Sequence, residues 1–321
     1  MKDAWGRTIE YVRLSLTDAC NFCCPYCRPA EITPQSQTQL LSVDEWMTIL
    51  EAFHRIGVKA VRLTGGEPLL YPHIEELLGR INDTGWFEDI SMTTNGSLLA
   101  SRAQRLKKLG LNRVNISLDS LESEAFATCV GKEGQLESVL EGIRSAINAN
   151  FKSVKINTVL SRYWTDEEVK SLLQYVEKWP VVWRFIEYMP FQGDAFHGPT
   201  FDEWKAQLER VSGGPLTEVH SIYGFGPATY LALPSGKAVG FIFSMSHSYC
   251  DTCNRVRLTS DGQMRLCLLR DDEADYVSLV RNGATAEALA EHIERALQRK
   301  QERHDGIGMD QPERPMWRIG G

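Results

Sequence analysis

The chain has 321 residues, of which 43% are hydrophobic and 24% are charged, and its formal net charge is −7. This acidic balance argues against a general nucleic-acid-binding protein, which would carry a basic domain or stripe. No run of about 18 apolar residues predicts a membrane span, and the N-terminal stretch MKDAWGRTIEYVRLSL lacks the apolar run of a secretory signal. We therefore expect a cytoplasmic protein that binds neither nucleic acid nor membrane.

Six units that pair a β-rich run with a helical segment follow one another between residues 11 and 190. The β-rich runs are YVRLSLT, AVRLTGG, DISMTTNG, RVNISLDS, KSVKINTVL and VWRFIEYMP, and apolar spacing of the 3.6-residue type predicts helices between them. Such a series predicts a parallel sheet with right-handed crossovers. Because the runs end in polar residues, as at the ligand-binding face of a barrel, we expect an incomplete, laterally open (β/α)6 barrel of the TIM type. A doubly wound sheet is the alternative that counting repeats cannot separate.

The pattern changes after about residue 200. Gly, Pro and Ser cluster from Gly213 to Gly240, short β-like runs surround a second cysteine group, and a helix is predicted from Thr285 to Lys300. We therefore predict a partial barrel over residues 1–220 and a small C-terminal α+β domain over residues 221–321.

Four thiols lie within the eight residues CNFCCPYC, at Cys20, Cys23, Cys24 and Cys27. A structural zinc site built on all four thiols would normally separate its two Cys pairs by a dozen or more residues, and here nothing separates them. The spacing Cys-x3-Cys-x2-Cys instead offers Cys20, Cys24 and Cys27 to three irons of a [4Fe–4S] cube and leaves one iron open. Cys23 is then a bystander, and the isolated Cys129 is interpreted as structural.

A second cysteine group lies in CDTCNRVRLTSDGQMRLC, with thiols at Cys250, Cys253 and Cys267. Together with the nearby His247, these thiols could form a Cys3His zinc site. Arg255 and Arg257 stand beside the thiols, however, and would form a cationic rim suited to an anionic or carbonyl-rich ligand. Clustered cysteines in a reducing compartment favour metal binding over disulfides in either interpretation.

CxxxCxxC after the first predicted strand, followed by TGGEP after the second, resembles the radical S-adenosylmethionine (SAM) superfamily. The series VRLSLTDACNFCCPYC, TGGEP, TTNG, NISLDS, RFIEYM, CDTCNRVRLTSDGQMRLCL and RPMWRIGG runs over nearly the whole chain. In this order the motifs resemble the GTP 3′,8-cyclase family of molybdenum cofactor biosynthesis, a family of lyases. A radical SAM peptide-modifying enzyme and a zinc-stabilised binding module are the rival interpretations.

The resemblance implies two [4Fe–4S] clusters that face one cavity. The first, on Cys20, Cys24 and Cys27, would cleave SAM reductively, and the second, on Cys250, Cys253 and Cys267, would contact the guanine of GTP. The 5′-deoxyadenosyl radical would take the ribose 3′-hydrogen, and bonding of C3′ to C8 would lead to 3′,8-cyclo-7,8-dihydro-GTP. Cyclic pyranopterin monophosphate synthase would act next, an external donor would supply electrons, and the chain would form a homodimer.

The resemblance also implies roles for individual residues. Those expected to bind SAM are Tyr26, Gly66, Ser117 and Met189. Those expected to bind GTP are Arg13, Arg62, Thr93, Lys155, Arg255, Val256 and Arg257. Catalytic roles are implied for Arg255, Arg257, Gly320 and Gly321.

The charged residues in the β-rich runs carry a physical argument of their own. Arg13, Arg62 and Lys155 fall in the first, second and fifth runs, where they could point into a barrel and bind a triphosphate; exposed strand-edge charges are the alternative. Arg184 in the sixth run is a further candidate. The Gly-Gly terminus is either a disordered end or, as the resemblance implies, a tail that approaches the ligand closely.

Overall fold

The computed structural model describes residues 1–27, 40–190, 198–219, 224–304 and 314–320. Its strands are β1 (Tyr11–Ser15), β2 (Ala60–Thr64), β3 (Asp89–Thr94), β4 (Arg113–Ser117), β5 (Ser153–Val159), β6 (Val182–Ile186), β7 (Thr217–Glu218), β8 (Thr229–Ala232), β9 (Ala238–Ile242), β10 (Arg255–Leu258), β11 (Gln263–Arg265) and β12 (Glu273–Asp275). Its helices are α1 (Val43–Arg55), α2 (Ile74–Thr84), α3 (Ala103–Lys108), α4 (Ser123–Val130), α5 (Leu136–Asn148), α6 (Asp166–Lys178), α7 (Phe201–Ser212), α8 (Val277–Arg281), α9 (Ala286–Leu297) and α10 (Met316–Ile319).

Strands β1 to β6 lie side by side in chain order, and each pairs in parallel with the next. This order confirms the barrel prediction, because a doubly wound sheet reverses its strand order at a switch point. In the described residues the sheet does not close. Strands β1 to β6 form its middle, β10 pairs in parallel with the free edge of β1, and β9 pairs in parallel with the free edge of β6. The predicted partial barrel is therefore confirmed.

The strands that follow β6 in the chain contribute to the same sheet. Beyond β10 lie the antiparallel strands β11 and β12, and beyond β9 lie β8 and β7. The helix predicted from Thr285 to Lys300 is α9. The boundary predicted between residues 220 and 221 falls outside the described residues and stays a prediction.

The two faces of the sheet have opposite chemistry because successive side chains of a strand alternate between them. On the outer face, apolar residues such as Val61, Leu63 and Ile116 are fully buried against the helices. The ends of the helices are fixed by local signals, for example the capping box of Thr165 and Glu168 at the start of α6.

The inner face carries buried polar and charged side chains. Arg13 and Arg62 are neighbours in the β1–β2 register, and both are less than a tenth exposed. Asn115, Lys155 and Arg184 are also buried, on β4, β5 and β6. A barrel interior with this many charges is organised to hold a charged ligand rather than an apolar core. Within the described residues, no helix is long and apolar enough to cross a bilayer.

Candidate active site

A cavity opens at the carboxyl ends of the barrel strands, and its wall includes the thiols of the first cysteine group. Cys20, Cys24 and Cys27 line it, whereas Cys23 is not among the residues that do. The loop is turned by a hydrogen bond from the Cys27 amide to the Cys24 carbonyl at 2.9 Å, and the Cys23 amide donates to the Val130 carbonyl at 2.9 Å. The structure thus brings together the three predicted ligands.

The electrostatics of this loop fit an iron–sulfur cluster. Burial raises the pKa of the Cys24 thiol well above its ordinary value, and the neighbouring thiols of Cys27 and Cys20 raise that pKa further. Three thiolates so placed need positive charge between them, which bound iron supplies. No group of three or more His, Cys, Asp or Glu side chains in the described parts of the chain converges on a single metal ion; a cube binds its thiolates through separate irons.

The second cysteine group lines an adjoining cavity, with Cys250, Cys253 and Cys267 in its wall. Burial opposes ionisation of Cys250, but hydrogen bonds from His304 and Ser248 outweigh it and lower its pKa to about 6. Thiols that ionise this readily are suited to bind metal, because the thiolate is the ligand form.

The Cys253 thiol also ionises more readily than an ordinary cysteine. Burial opposes ionisation of Cys253, but Arg255 and Lys300 outweigh it and lower its pKa to about 7.

The fourth ligand of the zinc alternative, His247, lies away from the three thiols. The His247 ring stacks on Phe201 with 5.1 Å between ring centroids. His247 lines a different cavity from the three thiols, which argues against a Cys3His site.

Two arginines connect the two cavities. Arg255 and Arg257 line both of them, as does Met189. Arg13, Arg62 and Arg184 line the first cavity. Burial lowers the pKa of Arg184 to about 10, and burial and the charge of Arg255 lower the pKa of Arg257 to about 10. These values leave both guanidinium groups charged at neutral pH, and an anion bound between them would offset the cost of burying like charges.

Of the remaining three residues predicted to bind GTP, one lines the first cavity and two do not. Thr93 lines the first cavity, and its hydroxyl has no hydrogen-bond partner among the described residues. Lys155 is 3% exposed and is not among the lining residues; burial, Arg184, Arg113 and Arg62 lower its pKa to about 6. The Val256 side chain packs in the hydrophobic core, so only its backbone is available to a ligand.

The four residues predicted to bind SAM, which are Tyr26, Gly66, Ser117 and Met189, all line the first cavity. The Tyr26 hydroxyl donates to Asp119 at 2.9 Å, and the same carboxylate accepts the Val159 amide at 2.8 Å. Burial raises the pKa of Asp119 to about 6, although these two hydrogen bonds act in the opposite direction. A Cβ on Gly66 would lie 2.4 Å from the Ala19 carbonyl oxygen, so this turn accepts only glycine.

The C-terminal tail reaches this site. The Gly320 carbonyl accepts a hydrogen bond from Arg257 at 2.7 Å. Gly321, predicted with it, lies outside the described residues.

Two residues of the quoted motifs organise the loops, although they were not predicted as site residues. Glu67 is fully buried and accepts from the amides of Leu69 and Asn95 and from the Thr94 hydroxyl, at 2.8–3.0 Å. The Asn95 side-chain amide donates to Cys20 Sγ at 3.9 Å. The motifs TGGEP and TTNG contained both residues, but their partners could not be read from the sequence. No motif pointed to His304.

Comparison with known proteins identifies the class of enzyme. Residues 14–176 match the Radical SAM superfamily, and residues 181–306 match Molybdenum Cofactor Synthesis C. The structure of Streptococcus suis SuiB bound to S-adenosylmethionine is similar, with a TM-score of 0.65 and 15% sequence identity over 89% of this chain and 68% of that chain. At this identity the likeness shows the fold alone. The chain belongs to the radical SAM superfamily.

Full-length relatives identify the family within that class. A GTP 3′,8-cyclase of Pelotomaculum thermopropionicum is 38% identical over 326 residues, which cover 100% of both chains. Molybdenum cofactor biosynthesis protein 1 of Mus musculus is 36% identical over 325 residues, which cover 100% of this chain and 51% of that protein. The chain is a member of the GTP 3′,8-cyclase family.

Proposed function

We propose that this chain converts GTP to 3′,8-cyclo-7,8-dihydro-GTP with two [4Fe–4S] clusters and SAM. The observation that carries the proposal is the pair of adjoining cavities, each with three cysteines in its wall and with Arg255 and Arg257 shared between them. If the first cysteine group generates a radical and the second binds the base, the two sites are close enough to act on a single nucleotide. The alternative of a peptide-modifying enzyme has no support from the family models or from the full-length relatives named above.

The first cysteine group and the four cavity-lining residues around it form the proposed SAM site. When bound there, the cluster and SAM would supply the 5′-deoxyadenosyl radical that removes the ribose 3′-hydrogen so that C3′ can bond to guanine C8. One further electron from the external donor and one proton would then complete the 7,8-dihydro ring. Gly66 lets the ligand approach the backbone, since no side chain fits at that position. Asp119 fixes the Tyr26 ring through the hydroxyl hydrogen bond, which holds the aromatic face at one wall of the cavity.

The inner-face cations form the proposed triphosphate site. Arg184 donates to Asn157 Oδ1 at 2.6 and 3.0 Å and to Asn115 Oδ1 at 2.7 Å. These hydrogen bonds hold the guanidinium without neutralising it, because both partners are uncharged amides. Arg13 and Arg62 are held beside each other by the β1–β2 register, so the phosphates would meet cations already in place.

The second cysteine group would hold the cluster that contacts the guanine, between Arg255 and Arg257. The proposal also includes an external electron donor, a homodimer as the assembled form, and cyclic pyranopterin monophosphate synthase as the enzyme that consumes the product. A reducing, cytoplasmic location suits thiols that must stay reduced to bind iron.

Anaerobic reconstitution, followed by iron and sulfide analysis and a turnover assay with GTP, SAM and dithionite, tests the proposal. We expect about eight irons per chain and formation of 5′-deoxyadenosine that depends on GTP. About four irons, or SAM cleavage indifferent to GTP, would contradict it and return the substrate assignment to a peptide.

A further inference from the structure

The N-terminal segment contains a buried arginine that lies outside every predicted site. Arg7 is 9% exposed, and its Nε donates to Asp3 Oδ2 at 2.6 Å. Asp3 Oδ1 in turn accepts the backbone amides of Arg7 at 2.9 Å and Trp5 at 3.0 Å. The carboxylate therefore orients the guanidinium group of Arg7.

The other guanidinium nitrogens of Arg7 reach two distant parts of the chain. One nitrogen donates to the carbonyl of Cys250 at 2.9 Å and to that of Glu302 at 2.6 Å, and the other donates to the carbonyl of Gln301 at 2.7 Å. A single side chain thus joins the loop that begins the second cysteine group to the segment that leads to His304.

We propose that Arg7 is a positioning residue for the second [4Fe–4S] cluster, which fixes the backbone of the Cys250 loop against residues 301–302. This inference rests on the proposed function, which places a cluster on that loop. The planar fork of an arginine can serve three carbonyl oxygens and a carboxylate at once, which an ammonium group cannot do in the same geometry. Loss of the fork would leave the three carbonyls of this loop and segment without that donor.

The chain contains a matched control that joins the same two segments. Arg303 forms an ion pair with Asp251 at 2.8 Å, and the two side chains are 64% and 66% exposed. Exposed ion pairs of this kind contribute little to the stability of a protein. Arg7 and Arg303 therefore differ in burial and in backbone contacts, whereas the parts of the chain that they connect are the same.

The test compares Arg7→Gln, Arg7→Lys and Arg303→Gln with the unchanged protein after anaerobic reconstitution. Loss of iron to a chelator is followed over time. Electron paramagnetic resonance distinguishes the two reduced clusters, because the proposed function places SAM on the first and GTP on the second. For Arg7→Gln we expect loss of the second cluster to be roughly tenfold faster or more, because hydrogen bonds from a charged donor are strong. The SAM-induced spectral change should be retained, Arg7→Lys should be intermediate, and Arg303→Gln should match the unchanged protein.

Equal iron loss in the Arg7 and Arg303 variants would overturn the inference. So would loss of both clusters at one common rate in both Arg7 variants, because that result indicates general destabilisation rather than positioning. If the unchanged protein itself bound only about four irons, the proposed function would be wrong, because the second cluster would not exist. That result differs from the two outcomes above, which overturn only the role of Arg7.

Discussion

The Arg257 guanidinium donates a hydrogen bond to the carbonyl oxygen of Gly320 at 2.7 Å, although 63 residues separate them in the chain. Gly320 has a φ of +76°, and a Cβ at this position would lie 2.5 Å from Thr64 Oγ1 and 3.0 Å from Ser15 Cβ. Because Arg257 lines both cavities, this contact places the tail at the junction of the two proposed cofactor sites. The tail therefore needs a residue without a side chain at this position.

Substitution Gly320→Ala should reduce cyclisation strongly, by roughly tenfold or more, because a Cβ 2.5 Å from Thr64 Oγ1 would displace the tail from the cavities. The positive φ adds a backbone cost of about 1–3 kcal/mol. Removal of Gly320 and Gly321 together should abolish cyclisation. Both changes should leave the two clusters spectroscopically intact, as measured by iron content and electron paramagnetic resonance beside product formation.

Gly283→Ala is the matched control for this prediction. Gly283 has a similar φ of +83°, but no atom of the described residues lies within 4 Å of the position its Cβ would take. Its substitution tests the backbone cost without a clash near the cavities, so turnover should be nearly unchanged. Full turnover in the truncated protein would contradict a role for the tail.

The two adjacent thiols of the first cysteine group should behave differently when they are removed. Cys24→Ala should lose the first cluster and SAM cleavage, because Cys24 lines the cavity with Cys20 and Cys27. Cys23→Ala should retain its iron, because Cys23 does not line that cavity and its amide is held by Val130. Iron analysis after reconstitution compares them, and loss of iron from Cys23→Ala would show that the ligand set is wrong.

Much of the barrel could be predicted because each repeat carries its own information. The runs that became β1 to β6 alternate apolar and polar residues, and parallel neighbours in chain order follow from the helices between them. The pairing of β10 with β1 and of β9 with β6 could not be predicted, because it joins runs far apart in the chain and no local spacing encodes it.

The same distinction applies to the site. Cys20, Cys24 and Cys27 could be predicted because a short loop fixes their separation, whereas the role of Asp119 depends on Tyr26, which is 93 residues away. Arg7 gave no signal at all, since its partner Gln301 is 294 residues distant. The spacing of residues in the sequence predicts ligands that share one loop, but it does not predict the long-range contacts that hold such a loop in place.

The hydrogen bond from Asn95 to Cys20 Sγ should tune the first cluster. Hydrogen bonds to cluster sulfurs help to set the reduction potential, and removing a donor destabilises the more negative, reduced form. Asn95→Ala should therefore lower the midpoint potential by roughly 40 mV, the equivalent of one hydrogen bond of about 1 kcal/mol in a one-electron couple. Redox titration monitored by electron paramagnetic resonance measures the shift.

Ser97→Ala is the control for this titration. The Ser97 hydroxyl donates to Asn95 Oδ1 at 2.7 Å and accepts from the Asn21 amide at 2.9 Å, so it belongs to the same network without contacting Cys20. The midpoint potential of the first cluster in Ser97→Ala should stay close to that in the unchanged protein. A common shift in the two variants would assign the effect to the loop rather than to the hydrogen bond on sulfur.

Binding of GTP should take up a proton at Lys155. Burial and the neighbouring arginines lower its pKa to about 6, so the amine is mostly neutral at pH 7.5 in the absence of ligand. A bound triphosphate favours the charged form and raises that pKa, which means that binding and protonation promote each other. Affinity for GTP should therefore fall as the pH rises above about 6, by up to tenfold per pH unit until the pKa of the complex is reached.

Calorimetry in buffers with different ionisation enthalpies measures this proton directly, and comparison with Lys155→Met removes the contribution of the phosphate groups themselves. The matched control is Lys152→Met, which alters an exposed lysine three residues earlier in the chain. We expect proton uptake at pH 7.5 to be smaller in Lys155→Met than in the unchanged protein, and to be retained in Lys152→Met. Equal uptake in all three proteins would contradict the prediction, because it would show that the charge of Lys155 does not change when the triphosphate binds.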